Sequence, residues 1–119
     1  MKLEVGQFVR LKSGYICKII NINDYREPNM KYGVEANYLR DVMFIGDDDV
    51  IKASYNIIDI LEIGDYVNGY KITDIDCYEY EKELFFDTNQ IISTFVNEEI
   101  KTIVTHEQME QMAYKVGDK

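Results

Sequence analysis

The chain has 119 residues, enough for one domain or two very small ones, and units that small rarely stand on a single core of their own. It carries 22 acidic against 13 Lys and Arg residues, a net charge of −9 that repels phosphate backbones and argues against direct nucleic-acid binding. Ten Tyr and no Trp suit thin β-layers and contact surfaces, where the ring is covered and the hydroxyl stays wet.

In chain order, Val5-Gly6-Gln7 leads into a strand at Phe8-Val9-Arg10-Leu11. Lys12-Ser13-Gly14 is a turn, and the β-branched and aromatic run 15–22 is the returning strand. Residues 23–33, which hold the only proline, Pro28, form a long polar connection and a candidate contact loop. Residues 34–45 read as a strand broken near Arg40-Asp41. Gly46-Asp47-Asp48-Asp49 is a turn, and Val50-Ile51-Lys52-Ala53 is a brief strand. Ser54 or Asn56 then caps a helical turn ending near Leu61.

Ile63-Gly64-Asp65-Tyr66-Val67 restarts the pattern. Asn68-Gly69 between apolar runs is a strong hairpin signal, with Tyr70-Lys71-Ile72-Thr73 as the return. The acidic stretch 74–83 is a strand or loop, followed by strand candidates at 84–86, 90–96 and 100–104. Thr105-x-x-Gln108 is a capping box for a short helix over 106–112. Tyr114-Lys115-Val116 returns to extended structure, and Val116-Gly117-Asp118 begins the pattern a third time. Such self-similarity marks a duplicated unit, here 1–62 and 63–119. The fold class expected is mainly β. The order of hairpin, irregular loop, two strands, helical turn and closing strand resembles the SH3-like small barrel. The opening Val-Gly-x-Phe-Val-Arg followed by Gly-Tyr-Ile-Cys-Lys-Ile resembles the first hairpin of SH3-like and KOW-type barrels. The resemblance implies two tandem small barrels; one merged antiparallel sheet is the alternative.

The chemistry-bearing residues are few. His106 is the one histidine, and Glu110 stands where a zinc protease would need a second, so His106 is expected to sit exposed, with Glu107 favouring the helix start. Asp47-Asp48-Asp49 lacks the alternating spacing of a calcium loop. Phosphate-loop, dinucleotide and nucleophile-elbow motifs are missing. Neither catalysis, a metal nor a cofactor is expected. Cys17 and Cys77 are expected to be half-buried reduced thiols. With no leader before Val5 and no membrane-length apolar run, the expected location is the cytoplasm of a bacterial host.

The best candidate contact surface is 74–83. Read as one strand, it sets Glu79, Glu81 and Glu83 about 6.7 Å apart on one face and Tyr78, Tyr80 and Lys82 on the other. Asp76 and the turn Asp47, Asp48, Asp49 add to the negative surface. The bland reading of the strand is an edge guarded by charge. Residues 50–71 and 100–112 resemble small uncharacterised proteins of phages and prophages in low-GC Gram-positive bacteria. This resemblance, with the acidity, implies a non-catalytic protein that binds and inhibits a host defence factor. The partner expected is a host protein with a basic surface, a nucleic-acid-binding effector such as a CRISPR effector, and neither nucleic acid nor membrane. The rivals are a module that self-assembles into a homo-oligomer in a phage complex, and a sponge for a small signalling nucleotide at a subunit boundary. The last would use cations of the first forty residues (Arg10, Lys12, Lys18, Arg26, Lys31, Arg40), where seven basic side chains face four acidic ones.

Overall fold

Short runs of alternating apolar residues separated by Gly-containing turns can bury one face only by pairing antiparallel. The computed structural model of the chain shows that outcome. It describes residues 2–36, 41–79, 81–88, 91–93 and 100–112. Among these the fold is mainly β, with two antiparallel five-stranded sheets and one short α-helix. The chain divides into two compact units, Met1–Ile60 and Leu61–Lys119.

In the first unit the strands are β1 (Phe8–Leu11), β2 (Ile16–Ile22), β3 (Tyr32–Glu35), β4 (Met43–Ile45) and β5 (Val50–Ser54), in the order β4-β3-β2-β1-β5. Alternation sends Val9, Leu11, Cys17, Ile19, Tyr32 and Val34 into one core, where Leu3, Ile45 and Val50 join them. Arg10 leaves β1 on the opposite face and is also fully buried. Its guanidinium donates to the carbonyl of Ile60, 3.1 Å away, at the end of the one-turn helix Ile57–Ile60. That turn hangs on Ser54, whose hydroxyl accepts from the amide of Asn56 and donates to Asp59.

The sequence reading of this unit needs three adjustments. The irregular connection stops at Lys31, because Tyr32 and Gly33 already pair with β2 and β4. Within it, Pro28–Met30 makes a helical turn. The Asp47–Asp49 turn is also one turn of helix, and it directly precedes the closing strand β5. The helical turn expected before the closing strand, Ile57–Ile60, follows β5 instead, as the helix His106–Met112 follows the last described strand of the second unit. Of the expected break near Arg40-Asp41, Arg40 lies outside the described residues, and Asp41 lies in a bend between β3 and β4.

The second unit contains β6 (Tyr66–Val67), β7 (Tyr70–Cys77), β8 (Lys82–Phe86), β9 (Ile91–Ser93), β10 (Ile103–Val104) and α1 (His106–Met112), with sheet order β10-β6-β7-β8-β9. This is the order of the first unit repeated. The β6–β7 turn is built as the Asn-Gly signal implies, with both residues left-handed at φ 53° and 86°. Asn68 also stitches the sheet edge: its side-chain oxygen accepts from the amides of Lys101 and Thr102 at 2.7 and 3.1 Å. The expected strand over 100–104 therefore shortens to Ile103–Val104, since those two amides serve the Asn68 side chain. Val67, Ile72, Leu84 and Phe86 are buried. The capping box forms as read, with the amides of Thr105 and Gln108 exchanging bonds with each other's side chains at 3.0 and 3.2 Å. The third pattern start at Val116 and the expected extended stretch 114–116 lie outside the described residues, as do positions 90 and 94–96 of the expected strand over 90–96.

Among the described residues, the two outer strands of neither sheet pair with each other. Among the described residues no helix is long and apolar enough to cross a membrane.

Candidate functional site

The acidic stretch 74–83 is not one strand. It is the end of β7, a reversal, and the start of β8, with the amide of Tyr78 donating to the carbonyl of Glu81 across the bend at 2.7 Å. The expected row of Glu79, Glu81 and Glu83 is therefore not made. Glu79 lies in the bend, Glu81 just before β8, and Glu83 within it, opposite Asp76. Lys82 does leave on the other face from Glu83, opposite Cys77. Tyr80 lies outside the described residues.

A register shift between Ile72 and Asp74 sets which side chains face out. Without it, period-two alternation would put Asp74 and Asp76 on the core face with Ile72. The extra residue, Thr73, donates its hydroxyl to the carbonyl of Phe85 at 3.2 Å and reverses the phase. Ile75 then turns inward opposite Leu84, while Asp74, Asp76 and Glu83 turn out. Tyr78, 53% exposed, sits among these carboxylates. Its phenol is held above the ordinary tyrosine value, first by the charge of Glu83, then by desolvation, Asp76 and Glu81. The hairpin end is thus a concentrated negative field with an accessible aromatic ring inside it.

The turn Asp47, Asp48, Asp49 belongs to the first unit and is partly committed to the fold. Asp47 accepts from the Tyr32 hydroxyl at 2.7 Å, and Asp49 accepts from the Gly46 amide at 3.0 Å. Burial, followed by that bond to Asp47, raises the Tyr32 phenol. With Pro28 and Asn29 these residues line a cleft of about 260 Å³, below the range of ordinary small-molecule sites. In the connection before it, Tyr25 is fully exposed, and the Arg26 guanidinium lies over the Phe44 ring at 4.2 Å. Of the cations considered for a nucleotide pocket, Arg10 is buried under the Ile57–Ile60 turn and does not reach a surface. Arg40 lies outside the described residues. The two thiols differ rather than both being half-buried: Cys17 is in the core and Cys77 is exposed, and neither is in a disulfide.

His106 is not exposed as expected. It is half-buried, with Nε2 2.7 Å from Glu62 Oε1 and 3.4 Å from Glu107 Oε1. The ring lies over Gly64, whose φ is +98°; a Cβ there would meet the His106 Cβ at 3.4 Å. The first unit holds the same arrangement: Gly6 at φ +97°, the Tyr55 ring over it, and the Tyr55 hydroxyl donating to Glu4 at 2.7 Å. In both copies the Glu amide is bonded to a side chain three residues on, Gln7 at 2.8 Å and Asp65 at 2.7 Å. The signal for this pair was in the sequence, as Glu4-Val5-Gly6-Gln7 against Glu62-Ile63-Gly64-Asp65, but its ring partner is some forty to fifty residues away and comes from pairing.

No protein family, no curated protein and no solved structure matches the chain.

Proposed function

We propose that this chain is a non-catalytic binding protein that engages a basic protein surface through the end of the β7–β8 hairpin. The observation that carries the reading is the grouping of Asp76, Glu81 and Glu83 around the exposed phenol of Tyr78. Carboxylates spaced like this present Arg and Lys side chains with an anionic pattern, and the ring supplies a contact area with little side-chain entropy to lose. The resemblance to phage and prophage proteins supplies the partner class: a host defence factor whose basic surface serves nucleic acid, with CRISPR effectors among them. Inhibition then follows from occupying that surface. We read the two units as SH3-like; a four-strand meander whose fifth strand returns beside the first, after one helical turn in the first unit, supports that.

Surface plasmon resonance against purified basic host defence effectors tests the reading. The wild type should bind, with an association rate that falls steeply as salt rises. Asp76→Lys with Glu83→Lys should slow association by at least about tenfold, and Tyr78→Ala should mainly speed dissociation. Equal binding by the charge-reversed protein removes the site from consideration.

A further inference from the structure

We propose that Glu62, His106 and Glu107 form a site for one divalent transition-metal ion of the Zn²⁺ or Co²⁺ class. Their nitrogen and oxygen donor atoms all lie within 4.8 Å of one another, the one such grouping of three His, Cys, Asp or Glu side chains among the described residues. A tetrahedral ion with bonds of about 2.1 Å spaces its donors about 3.4 Å apart. The separation from His106 Nε2 to Glu107 Oε1 is already 3.4 Å, and that to Glu62 Oε1, 2.7 Å, opens by a small rotation of the Glu62 side chain. Imidazole with two carboxylates is a borderline donor set that suits zinc and cobalt, and two negative charges neutralise the ion. A fourth position would be left to water or a partner's side chain.

The duplicated fold supplies an internal comparison. The first unit holds its Glu–ring contact with Tyr55 and has Asn56 where the second has Glu107, so a phenol is sufficient for the fold. The second unit differs from it in the direction of metal donors at both places. It also adds a support that the first lacks in this form. The carboxylate of Asp65, fully buried, accepts from the amide of Glu62 at 2.7 Å and from the amide of His106 at 2.9 Å. One buried group thereby holds the backbone at two of the three donors. The bare Gly64 leaves the space that the imidazole occupies above it.

His106 is the one histidine in the chain, so its ring resonances need no assignment. Titrating the intact protein with Zn²⁺ should shift the imidazole signals in a ¹H–¹³C spectrum. Titrating it with Co²⁺ should produce visible absorption bands that saturate at one ion per chain. Glu62→Gln and Glu107→Gln should each weaken Co²⁺ binding by about tenfold or more. His106→Tyr, which installs the first unit's ring, should abolish the bands, with its β spectrum by circular dichroism unchanged. Glu79→Gln, outside the grouping, should bind as the wild type does. An imidazole that does not respond to Zn²⁺ in the wild type would overturn the proposal, a result that needs no variant to fold. So would Co²⁺ binding that survives Glu62→Gln and Glu107→Gln undiminished.

Discussion

Three side chains show how single residues set this structure. Arg10 spends its charge inside the first unit, on a carbonyl that ends a helical turn. Arg10→Met should lower unfolding free energy by about 2 kcal/mol, the scale of a buried hydrogen bond to a charged donor, read as a lower urea midpoint. Arg10→Lys should recover little of it, because one ammonium lacks the planar fork. Tyr32 gives a pH signature. Its phenol is raised in the folded state by burial and by its bond to Asp47, so folding favours the neutral form. That contribution is complete below a pH of about 10 and is lost as pH rises through the raised folded value. Tyr32→Phe should cost about 1 kcal/mol at neutral pH and remove this part of the alkaline decline, measured as the difference between the two denaturation curves. Tyr78 responds first to a neighbouring charge: Glu83→Gln should bring its titration down toward the ordinary tyrosine value, followed by the ring carbon shift in NMR.

Among the elements, the β6–β7 turn does two jobs at one residue. Asn68→Ala should cost about 1–2 kcal/mol, from left-handed strain and from two amides left without their acceptor. Faster hydrogen exchange at Lys101 and Thr102 checks the second part, and Asn68→Gly separates it from the first. The turn was readable because Asn-Gly is a local code. The capping box at Thr105 was readable for the same reason. The hairpin end at Tyr78 was not. Nothing in the acidic stretch 74–83 is Gly or Pro, so a period-two reading ran straight through the reversal, and a bulge at Thr73 has no composition of its own. The burial of Arg10 was equally invisible: it leaves β1 on the face away from the core residues, and the turn Ile57–Ile60 that takes its guanidinium is brought there by the fold. The Glu62–His106 contact depends on pairing between distant strands, which spacing along the chain does not encode.

Across the whole molecule, charge is divided unevenly. Residues 61–119 hold 13 acidic and 5 basic side chains, against 9 and 8 in residues 1–60. The proposed attraction for a basic partner therefore belongs to the second unit, and under that proposal the two units should respond differently to the same perturbation. Asp76→Lys with Glu83→Lys should slow association at least about tenfold, whereas Asp47→Lys with Asp48→Lys, of equal charge change, should alter it by no more than about twofold. Stopped-flow association at two salt concentrations compares them. The mainly β character and the repeated opening were legible because Gly-led apolar runs recur, with the two Glu-x-Gly segments matching down to the sign and size of the glycine φ angles. The cysteines offer a practical route to these measurements. Cys17 is sealed in the core, while Cys77 is open to solvent at the end of β7, one residue before Tyr78. A maleimide fluorophore should therefore label the unmodified protein at a single thiol beside the proposed contact, and a change in its emission would report docking without any engineered substitution.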